Sequence, residues 1–286
     1  MLTVFTPSYN RSKELIRLYE SLKKQTVQDF EWLVIDDGSV DDTSELIQDF
    51  INERIINIRF HRHDNCGKMK THNHGAEMAH GELFVCIDAD DWLTENAVEQ
   101  IIYDSKKISD QNIAGMMYLD YDGETDTIVG TGFPWKEKIC NSYDVYNKHG
   151  VKGDKTFVFK TSVIREFPFP EIENEKFVPE ALVYNRIAYK YSLLCVNIPI
   201  KRVEYLPDGY TNNYFNVCKK NPKAQVIYYK ELYLRQPTIY NAAAYNMYCI
   251  YAGISVFDAI KDHPNKFICI LTYLPAYIKY LLKEHK

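Results

Sequence analysis

The chain has 286 residues, of which 46% are hydrophobic and 26% charged, a composition that excludes disordered, collagen-like and low-complexity proteins. Its 34 Lys and Arg residues against 39 Asp and Glu residues give a net charge of −5, so the absence of an overall positive field excludes a dedicated nucleic-acid-binding protein. The seven cysteines include no C-x-x-C pair and the first residues do not form a basic and apolar leader, so we expect a cytoplasmic protein with reduced thiols.

Strands and helices alternate along the first 110 residues. Apolar residues spaced three and four apart predict helices, and short apolar or β-branched runs predict strands. The predicted strands cover residues 2–6, 30–36, 55–61 and 83–88, and the predicted helices cover residues 12–25, 42–51, 68–79 and 94–108. This order predicts a Rossmann-like, mostly parallel α/β sheet with helices on both faces.

The alternation loosens after residue 110. Strands are expected near residues 113–118, 157–160 and 193–198, and a helix over residues 180–191. From residue 222 the chain is rich in tyrosine and is predicted to be helical. We therefore predict one domain over residues 1–220, divided near residue 110, and a C-terminal helical extension over residues 221–286.

Acidic side chains follow two of the predicted strands, at the edge where open parallel sheets bind ligands. Asp36 and Asp37 end the second strand, and Asp88, Asp90 and Asp91 end the fourth. Each group alone could also be a turn or a helix cap. Together, five carboxylates on one rim repel each other without a cation, and an Asp-x-Asp pair offers the hard oxygen ligands that Mg²⁺ or Mn²⁺ prefers. The sequence therefore predicts a divalent-metal site at this edge.

Six short motifs, in matching order and spacing, carry a resemblance to a known family. They are Thr6-Pro-Ser-Tyr-Asn-Arg11, Asp36-Asp-Gly-Ser39, Gly67-Lys68, Asn73-x-Gly75, Ala79-His-Gly-Glu82 and Asp88-Ala-Asp-Asp91. As a set they resemble the inverting nucleotide-sugar glycosyltransferases of family 2, strongly over residues 1–110 and more weakly over residues 150–215. The resemblance implies a GT-A fold, with a nucleotide-sugar-binding half over about residues 1–110 and an acceptor half over about residues 111–220.

The resemblance implies how the base of the nucleotide is bound. Pro7 and Tyr9 would border the base, and the Tyr9 ring could stack on it. Asp37 would accept a hydrogen bond from the base, which favours uracil and hence a UDP-sugar. The sequence departs from the family at Thr71-His72, where many members have Ala-Arg. That departure removes one expected cationic contact with the donor.

The resemblance also implies how the diphosphate is bound. Arg11 and Lys68 would meet the donor with their cationic groups. Asp88 and the adjacent Ala89 would bind the ribose or a metal-bound water. Asp90, together with Asp88, would ligate the Mn²⁺ or Mg²⁺ that bridges the two phosphates. A cation there would neutralise charge on the nucleoside diphosphate as it leaves.

Transfer with inversion needs a general base for the acceptor hydroxyl. Family members place an Asp for this purpose in a Glu-Asp pair, six residues before an Arg. Here Glu180 stands six residues before Arg186 but follows Pro179, so the resemblance implies that Glu180 is the base. An acidic residue that stabilises a helix N-terminus is the alternative, and Asp154 is a second candidate for the base.

The stretch 201–211 resembles a loop that closes over the donor pyrophosphate in the family. Arg202, Tyr205 and Thr211 would be its contacts, and a solvated turn is the alternative. We therefore expect a metal-assisted inverting glycosyltransferase acting on a growing saccharide or lipid-linked glycan. A catalytically degenerate scaffold protein and, behind it, a nucleotidyltransferase are the alternatives.

Two further patterns are ambiguous. Histidines at positions 61 and 63 and at 72 and 74 invite a zinc site, but residues two apart on a helix do not share a face, so we interpret Cys66 as an ordinary loop thiol and predict no zinc. The C-terminal tail alternates apolar residues with Lys266, Lys279 and Lys283. Such a helix contacts a membrane surface, packs on its own domain or packs on a second subunit.

Overall fold

The structure is a computed structural model that describes residues 1–206 and 210–284. The strands are β1 (Leu2–Ser8), β2 (Phe30–Asp36), β3 (Ile58–Arg62), β4 (Leu83–Cys86), β5 (Trp92–Leu93), β6 (Ile113–Asp122), β7 (Glu137–Cys140), β8 (Lys155–Lys160) and β9 (Ser192–Val203). The helices are α1 (Ser12–Lys23), α2 (Thr43–Glu53), α3 (Lys68–Met78), α4 (Ala97–Ser105), α5 (Ser142–Asn147), α6 (Thr161–Glu166), α7 (Glu180–Lys190), α8 (Tyr210–Lys220), α9 (Pro222–Arg235), α10 (Ile239–Tyr251), α11 (Val256–Asp262) and α12 (Lys266–Glu284).

The strands of the described residues form one mixed sheet. Its order is β3-β2-β1-β4-β8-β6-β9-β5, with β7 paired to the other side of part of β9. Neighbours from β3 to β4 are parallel, β8 is antiparallel to both β4 and β6, and β6 is parallel to β9. The prediction of a mostly parallel α/β sheet with C-terminal helices is confirmed.

The central strands carry apolar side chains on both faces because helices cover both. Every residue of β2 is buried, and only Pro7 in β1 is less than fully buried. On one face Tyr19 of α1 stacks on Phe50 of α2 with ring centroids 3.9 Å apart, and both rings lie near Trp32 of β2. Aromatic clusters of this kind bury large areas and fix the helices on the sheet.

Two glycines of the sequence motifs allow close packing against β1, Gly75 in α3 and Gly81 in the connection between α3 and β4. A Cβ on Gly75 would lie 2.4 Å from the Phe5 ring, and a Cβ on Gly81 would lie 2.5 Å from the backbone nitrogen of Thr3. Neither position has room for a side chain. The Asn73-x-Gly75 and Ala79-His-Gly-Glu82 motifs therefore include packing requirements of the fold.

The chain divides into two compact units. The first contains residues 1–169 and 183–206, including the whole sheet, and the second contains residues 170–182 and 207–286. In the second unit, Glu175 accepts hydrogen bonds from two backbone N–H groups at the start of α9, and Asn221 accepts from those of Lys176 and Phe177. The predicted boundary between residues 220 and 221 falls between α8 and α9, inside this unit.

Helix α12 runs without a break through Pro275. A proline inside a helix removes one backbone donor, and this long amphipathic helix tolerates that loss. None of the helices in the described ranges combines the length and the hydrophobicity needed to span a membrane.

Candidate functional site

The candidate site lies where the strand order reverses, at the carboxyl ends of β1 and β4. β1 lies between β2 and β4, and Pro7 pairs with Ile35 near the carboxyl ends of β1 and β2. Open α/β sheets bind ligands in the crevice that such a reversal creates. The motifs that follow β1, β2, β3 and β4 all belong to this edge, as the alternation predicts.

Hydrogen bonds tie the loop after β1 to the loop after β2. The backbone N–H of Asn10 donates to the Ser39 hydroxyl at 2.8 Å, and that of Val40 donates to the Asn10 side-chain oxygen at 2.9 Å. Asn10 has a left-handed φ of +53°, which asparagine tolerates better than most residues. Asn10 is preceded by Tyr9, which is 48% exposed, and is followed by Arg11, which lies just before α1.

Asp37 organises the loop between β3 and α3. Its Oδ1 accepts the backbone N–H of Cys66 at 2.7 Å, and its Oδ2 accepts that of Gly67 at 2.9 Å. Gly38 has φ +79°, and a Cβ there would lie 2.7 Å from the backbone nitrogen of Asn65, so this turn requires glycine. Each carboxylate oxygen has more than one lone pair, so Asp37 can accept a further hydrogen bond. Its contact with a nucleotide base stays a prediction.

An open cleft of about 590 Å³ borders this loop. The lining is polar and comes from Gly38, Arg62, His63, Asp64 and Asn65, beyond the ends of β2 and β3. The volume lies within the range of small-molecule sites. A cleft of this size with amide, imidazole and guanidinium groups can bind a hydrogen-bonding, anionic ligand.

Asp88 and Asp90 form a partly exposed acidic pair after β4, which we call the outer pair. Lys68 donates to Asp88 Oδ2 at 2.7 Å, while 39% of the Asp88 side chain stays exposed. Burial opposes the charge of Asp88, but the ammonium groups of Lys68 and Lys201 hold its pKa below the usual value. Burial and the Asp88 carboxylate raise the pKa of Asp90. Ala89 between them is buried.

Asp91 turns away from the outer pair into a buried ionic cluster, the inner cluster, with Lys201 and Asp120. Lys201 Nζ lies 2.7 Å from Asp91 and 3.8 Å from Asp120, and Thr156 donates to Asp120 at 2.5 Å. Burial raises the pKa of both carboxyl groups, and it opposes the charge of Lys201, whose pKa the two carboxylates nevertheless raise well above the ordinary value. This cluster joins the acidic motif to β6 and β9.

Arg17 of α1 holds the backbone of the acidic motif. Its guanidinium donates to the carbonyl oxygen of Asp90 at 2.6 Å and to the Glu204 carboxylate at 2.5 Å. The same group lies 3.8 Å above the Trp92 ring. The planar guanidinium suits these contacts because it donates in a fixed fork and also stacks on aromatic rings.

His72 does not provide the cationic contact that many family members gain from an Arg. It is buried on α3 and meets the rings of Phe5, Phe84 and Phe169 edge-on, at centroid distances of 5.0–5.7 Å. Burial lowers the pKa of His72 to about 3. The imidazole is therefore neutral at physiological pH and acts as a core residue.

Glu180 is the first residue of α7 and is half-buried. It belongs to the second compact unit, whereas the outer pair belongs to the first. A carboxylate in the first turn also stabilises a helix through the helix dipole. The role of Glu180 as a general base stays a prediction.

The predicted donor-loop residues make contacts within the protein. Arg202 forms an ion pair with Asp126 and lies 5.0 Å from the centre of the Tyr121 ring. Tyr205 donates to Asp154 at 3.3 Å and is 41% exposed, and burial together with Asp154 raises its pKa. The side chain of Thr211 lies outside the described residues.

The outer pair fits a hard divalent cation by its chemistry. Both ligands would be carboxylate oxygens, which Mg²⁺ and Mn²⁺ prefer. The Asp90 carboxylate accepts no hydrogen bond from another of the described residues, and burial, together with the negative charge of Asp88, raises the pKa of Asp90. A cation between them would offset that negative charge.

The sequence matches a model of one protein family. The model of "Glycosyl transferase family 2" covers residues 3–166, more than half of the chain. The chain belongs to glycosyl transferase family 2. Glycosyltransferase GlyG of Streptococcus pneumoniae is 30% identical over 122 residues, which are 43% of this chain and 40% of GlyG. The chain spans less than half the length of the curated relatives it matches.

Solved structures with the same fold include three that contain a nucleotide or a nucleotide sugar. Staphylococcus aureus TarS 1-349 in complex with UDP aligns with a TM-score of 0.63 at 14% identity, over 99% of this chain and 91% of that one, and the same fragment has been solved with UDP-GlcNAc. The mannosyltransferase PcManGT of Pyrobaculum calidifontis, in complex with GDP-Man and Mn²⁺, aligns with a TM-score of 0.56 at 16% identity, over 98% and 86% of the two chains. These likenesses confirm the GT-A fold of this family 2 chain.

Three residues of the site were not singled out from the sequence, although one of them, Lys201, opens the stretch predicted as the donor loop and instead lies in β9. Arg17 lies on α1, and the apolar spacing of that segment predicts the helix but no role for Arg17. Asp120 and Lys201 lie near the ends of strands that are longer than predicted. No sequence signal pointed to Asp120, because it lies beyond the predicted end of its strand. In this family 2 chain, these three residues position the acidic motif from outside it.

Proposed function

We propose that the chain transfers a sugar from a nucleotide sugar, most simply a UDP-sugar, to an acceptor hydroxyl with inversion at the sugar. The observation that carries the proposal is the outer pair, Asp88 and Asp90, accessible at the sheet edge and paired with Lys68. This arrangement suits a divalent metal ion as a cofactor. The Mn²⁺ and the nucleotides bound in complexes of proteins with a similar fold support the proposal.

The residues of this chain divide the work in the proposed reaction. Asp88 and Asp90 would hold Mn²⁺ or Mg²⁺, which supplies charge neutralisation at the diphosphate leaving group. Lys68 would add a second positive charge near the diphosphate. Tyr9 would stack on the base. Glu180 would take the proton from the acceptor hydroxyl.

A thermal-shift panel tests the donor class. The melting temperature of the protein is measured with UDP, GDP, ADP and CDP, each with and without Mn²⁺. UDP should raise it most, and more with Mn²⁺ than without, because a ligand that binds only the folded state stabilises it by mass action. The Asp90→Asn variant should lose the Mn²⁺-dependent part of the shift. No shift with any nucleoside diphosphate would contradict the proposal, and UDP binding without turnover of any UDP-sugar would favour the scaffold alternative.

We propose that the exposed side of α12 is the surface that contacts a lipid-linked or membrane-bound acceptor. Phe267, Leu274 and Leu282 are each at least 64% exposed, and Lys266 and Lys279 are also exposed on this helix. Exposed apolar side chains flanked by lysines favour an anionic membrane surface. Flotation with anionic vesicles should carry the protein with them, and a dimer in solution that leaves the vesicles unbound would favour the second-subunit alternative.

A further inference from the structure

His63, Cys66 and His74 form a compact group, which we call the His-Cys-His group, and His63 also lines the cleft beyond the ends of β2 and β3. Each offers one ligand atom, and these atoms all lie within 4.8 Å of one another. Cys66 Sγ is 3.7 and 3.9 Å from the two ring nitrogens of His63, and the His63 and His74 rings meet at right angles with centroids 5.1 Å apart. In the described part of the chain, no second group of three His, Cys, Asp or Glu side chains is so close.

These distances are near those of a tetrahedral zinc site. With metal–sulfur and metal–nitrogen bonds of about 2.3 and 2.0 Å, sulfur and nitrogen ligands lie about 3.5 Å apart. A contraction of a few tenths of an ångström between Cys66 and His63 would reach that value. All three side chains are half-buried, so they are shielded yet remain within reach of solvent.

The fold assembles the group from residues that no regular spacing brings together. His63 follows β3, Cys66 lies two residues before α3, and His74 lies on the second turn of that helix. Asp37 folds the loop back by accepting the Cys66 N–H. The sequence pairs 61/63 and 72/74 are thus misleading, because the group takes one histidine from each pair.

Neighbouring groups orient the His63 ring for metal binding. Its Nδ1 lies 2.9 Å from the Asp64 carbonyl oxygen and 3.5 Å from Asp37 Oδ1. An oxygen partner on one ring nitrogen is the usual support for a histidine that binds a metal through the other. Thr71 Oγ1 lies 3.5 Å from His63 Nε2 and 3.7 Å from Cys66 Sγ, where it could accept a hydrogen bond from a metal-bound water.

We propose that His63, Cys66 and His74 bind one Zn²⁺, with a water or a small added ligand in the fourth position. Two imidazoles and one thiolate suit Zn²⁺ and not Mg²⁺ or Mn²⁺, which prefer oxygen. Burial and the Asp37 carboxylate raise the pKa of the Cys66 thiol, so binding would release a proton. A bound ion would fix the loop that leads into Gly67 and Lys68.

Titration of the metal-free protein with Co²⁺ tests this site directly. Co²⁺ replaces Zn²⁺ and gives a sulfur-to-metal charge-transfer absorption only when a thiolate binds it. The wild type should show this band at one Co²⁺ per chain, and Zn²⁺ should abolish it. Mn²⁺ and Mg²⁺ should not compete, which separates this site from the outer pair.

Matched variants identify the ligands. Cys66→Ser should abolish the band, and His74→Gln should weaken binding by more than the roughly 10- to 100-fold that loss of an outer-shell partner costs. Cys86→Ser and His61→Gln should bind Co²⁺ like the wild type, and Asp90→Asn should do so while losing the Mn²⁺ effect on UDP binding. Circular dichroism checks that each variant folds.

Two results would overturn the site. One is a wild-type protein that gives no charge-transfer band, and the other is a band that survives in folded Cys66→Ser or keeps its full affinity in folded His74→Gln. If Cys66→Ser and His74→Gln both misfold, the wild type is compared with Cys86→Ser. Equal charge-transfer bands in these two proteins support the site, and loss of the band in Cys86→Ser shows that Cys86 provides the thiolate. None of these readouts depends on glycosyl transfer, so the zinc site and the proposed function can fail separately.

Discussion

The acidic motif after β4 serves two regions that differ in exposure. In the outer pair, 39% of the Asp88 side chain is exposed and Asp90 accepts no hydrogen bond from another described residue. In the inner cluster, the Asp91 side chain is 8% exposed and Asp120 is fully buried, with Lys201 between them. Four consecutive residues therefore present carboxylates to a ligand on one side and anchor themselves to β6 and β9 on the other.

The two regions should respond differently to substitution. A carboxylate that is accessible and repelled by a neighbour gains by binding a cation, so its loss should affect ligand binding and catalysis. A buried carboxylate that is paired depends on its partner, because an uncompensated buried charge is costly. Function and stability should thus separate between Asp90 and its neighbour Asp91.

The largest effect is expected for Asp90→Asn. This change keeps the shape of the side chain but removes a metal ligand, and we expect turnover of a UDP-sugar to fall by about 10²- to 10³-fold, as for loss of one electrostatic contact to a transition state. Stability should change by less than about 1 kcal/mol, because Asp90 is half-buried and accepts no hydrogen bond from another described residue that the substitution would break. Steady-state kinetics and urea unfolding measure the two quantities. Asp29→Asn, an exposed acid far along the chain from the motif, is the control. Normal turnover in Asp90→Asn would remove the distinction between the two regions.

Lys201→Met should act in the opposite way. It leaves the two carboxylates of the inner cluster without their cation, and we expect a loss of about 3–5 kcal/mol in the free energy of unfolding at alkaline pH, where both are charged, because burial raises the pKa of Asp91 to about 7. Because burial raises the pKa of Asp91 and Asp120, the penalty is present above their folded-state pKa values and shrinks as the pH falls and both become neutral.

Urea unfolding at several pH values measures this loss, and the double variant Asp91→Asn/Lys201→Met should recover part of it. A loss below about 1 kcal/mol, the value typical of exposed ion pairs, would show that the inner cluster is as open to water as the outer pair.

Glu31 provides a reference for a buried carboxylate outside the site. Its oxygens accept from the Thr3 hydroxyl and the His80 N–H, each at 2.6 Å, and from Arg59 at 3.0 Å. Burial opposes its charge, but these partners lower the pKa of Glu31. Glu31→Gln should therefore cost about 1–3 kcal/mol at neutral pH without changing turnover.

The pH dependence of the Glu31 contribution has a definite sign. A lowered folded-state pKa gives stability that is complete above the unfolded value of about 4.3 and is lost as the pH falls through the folded value. The difference between wild type and Glu31→Gln in urea unfolding should shrink over that interval. A difference that grows toward acid would contradict the assignment.

The first half of the sheet could be predicted because its signals are local. β2 has the bounds that its apolar run predicts, and α3 begins at the predicted Lys68. β5 and β7 could not be predicted, since they have two and four residues and exist through pairing with β9, more than 50 residues away along the chain. Pairing over such separations leaves little pattern within a short window.

The candidate site shows the same division. Asp37 directly follows β2, the outer pair follows β4 within a few residues, and Lys68 begins α3 after the loop that follows β3, so sequence motifs identify their place. Asp120 and Lys201 reach the motif only because β6 and β9 lie beside each other in the sheet. Their role depends on tertiary burial, which a charged residue in a strand does not reveal.

Arg17 links the two regions and is expected to give the smallest effect. It donates to the Asp90 carbonyl, and it pairs with Glu204, whose N–H donates to Asp91 Oδ1 at 3.3 Å. Arg17→Ala should lower turnover by about 10-fold, less than direct loss of a ligand, because the outer pair is displaced but still present. The Mn²⁺ concentration for half-maximal activity should rise, and Arg17→Lys should restore part of the loss. An unchanged Mn²⁺ dependence with lower stability would mean that Arg17 supports only the inner cluster. The Asp90 carboxylate would then keep its position without the hydrogen bond from Arg17 to the Asp90 backbone.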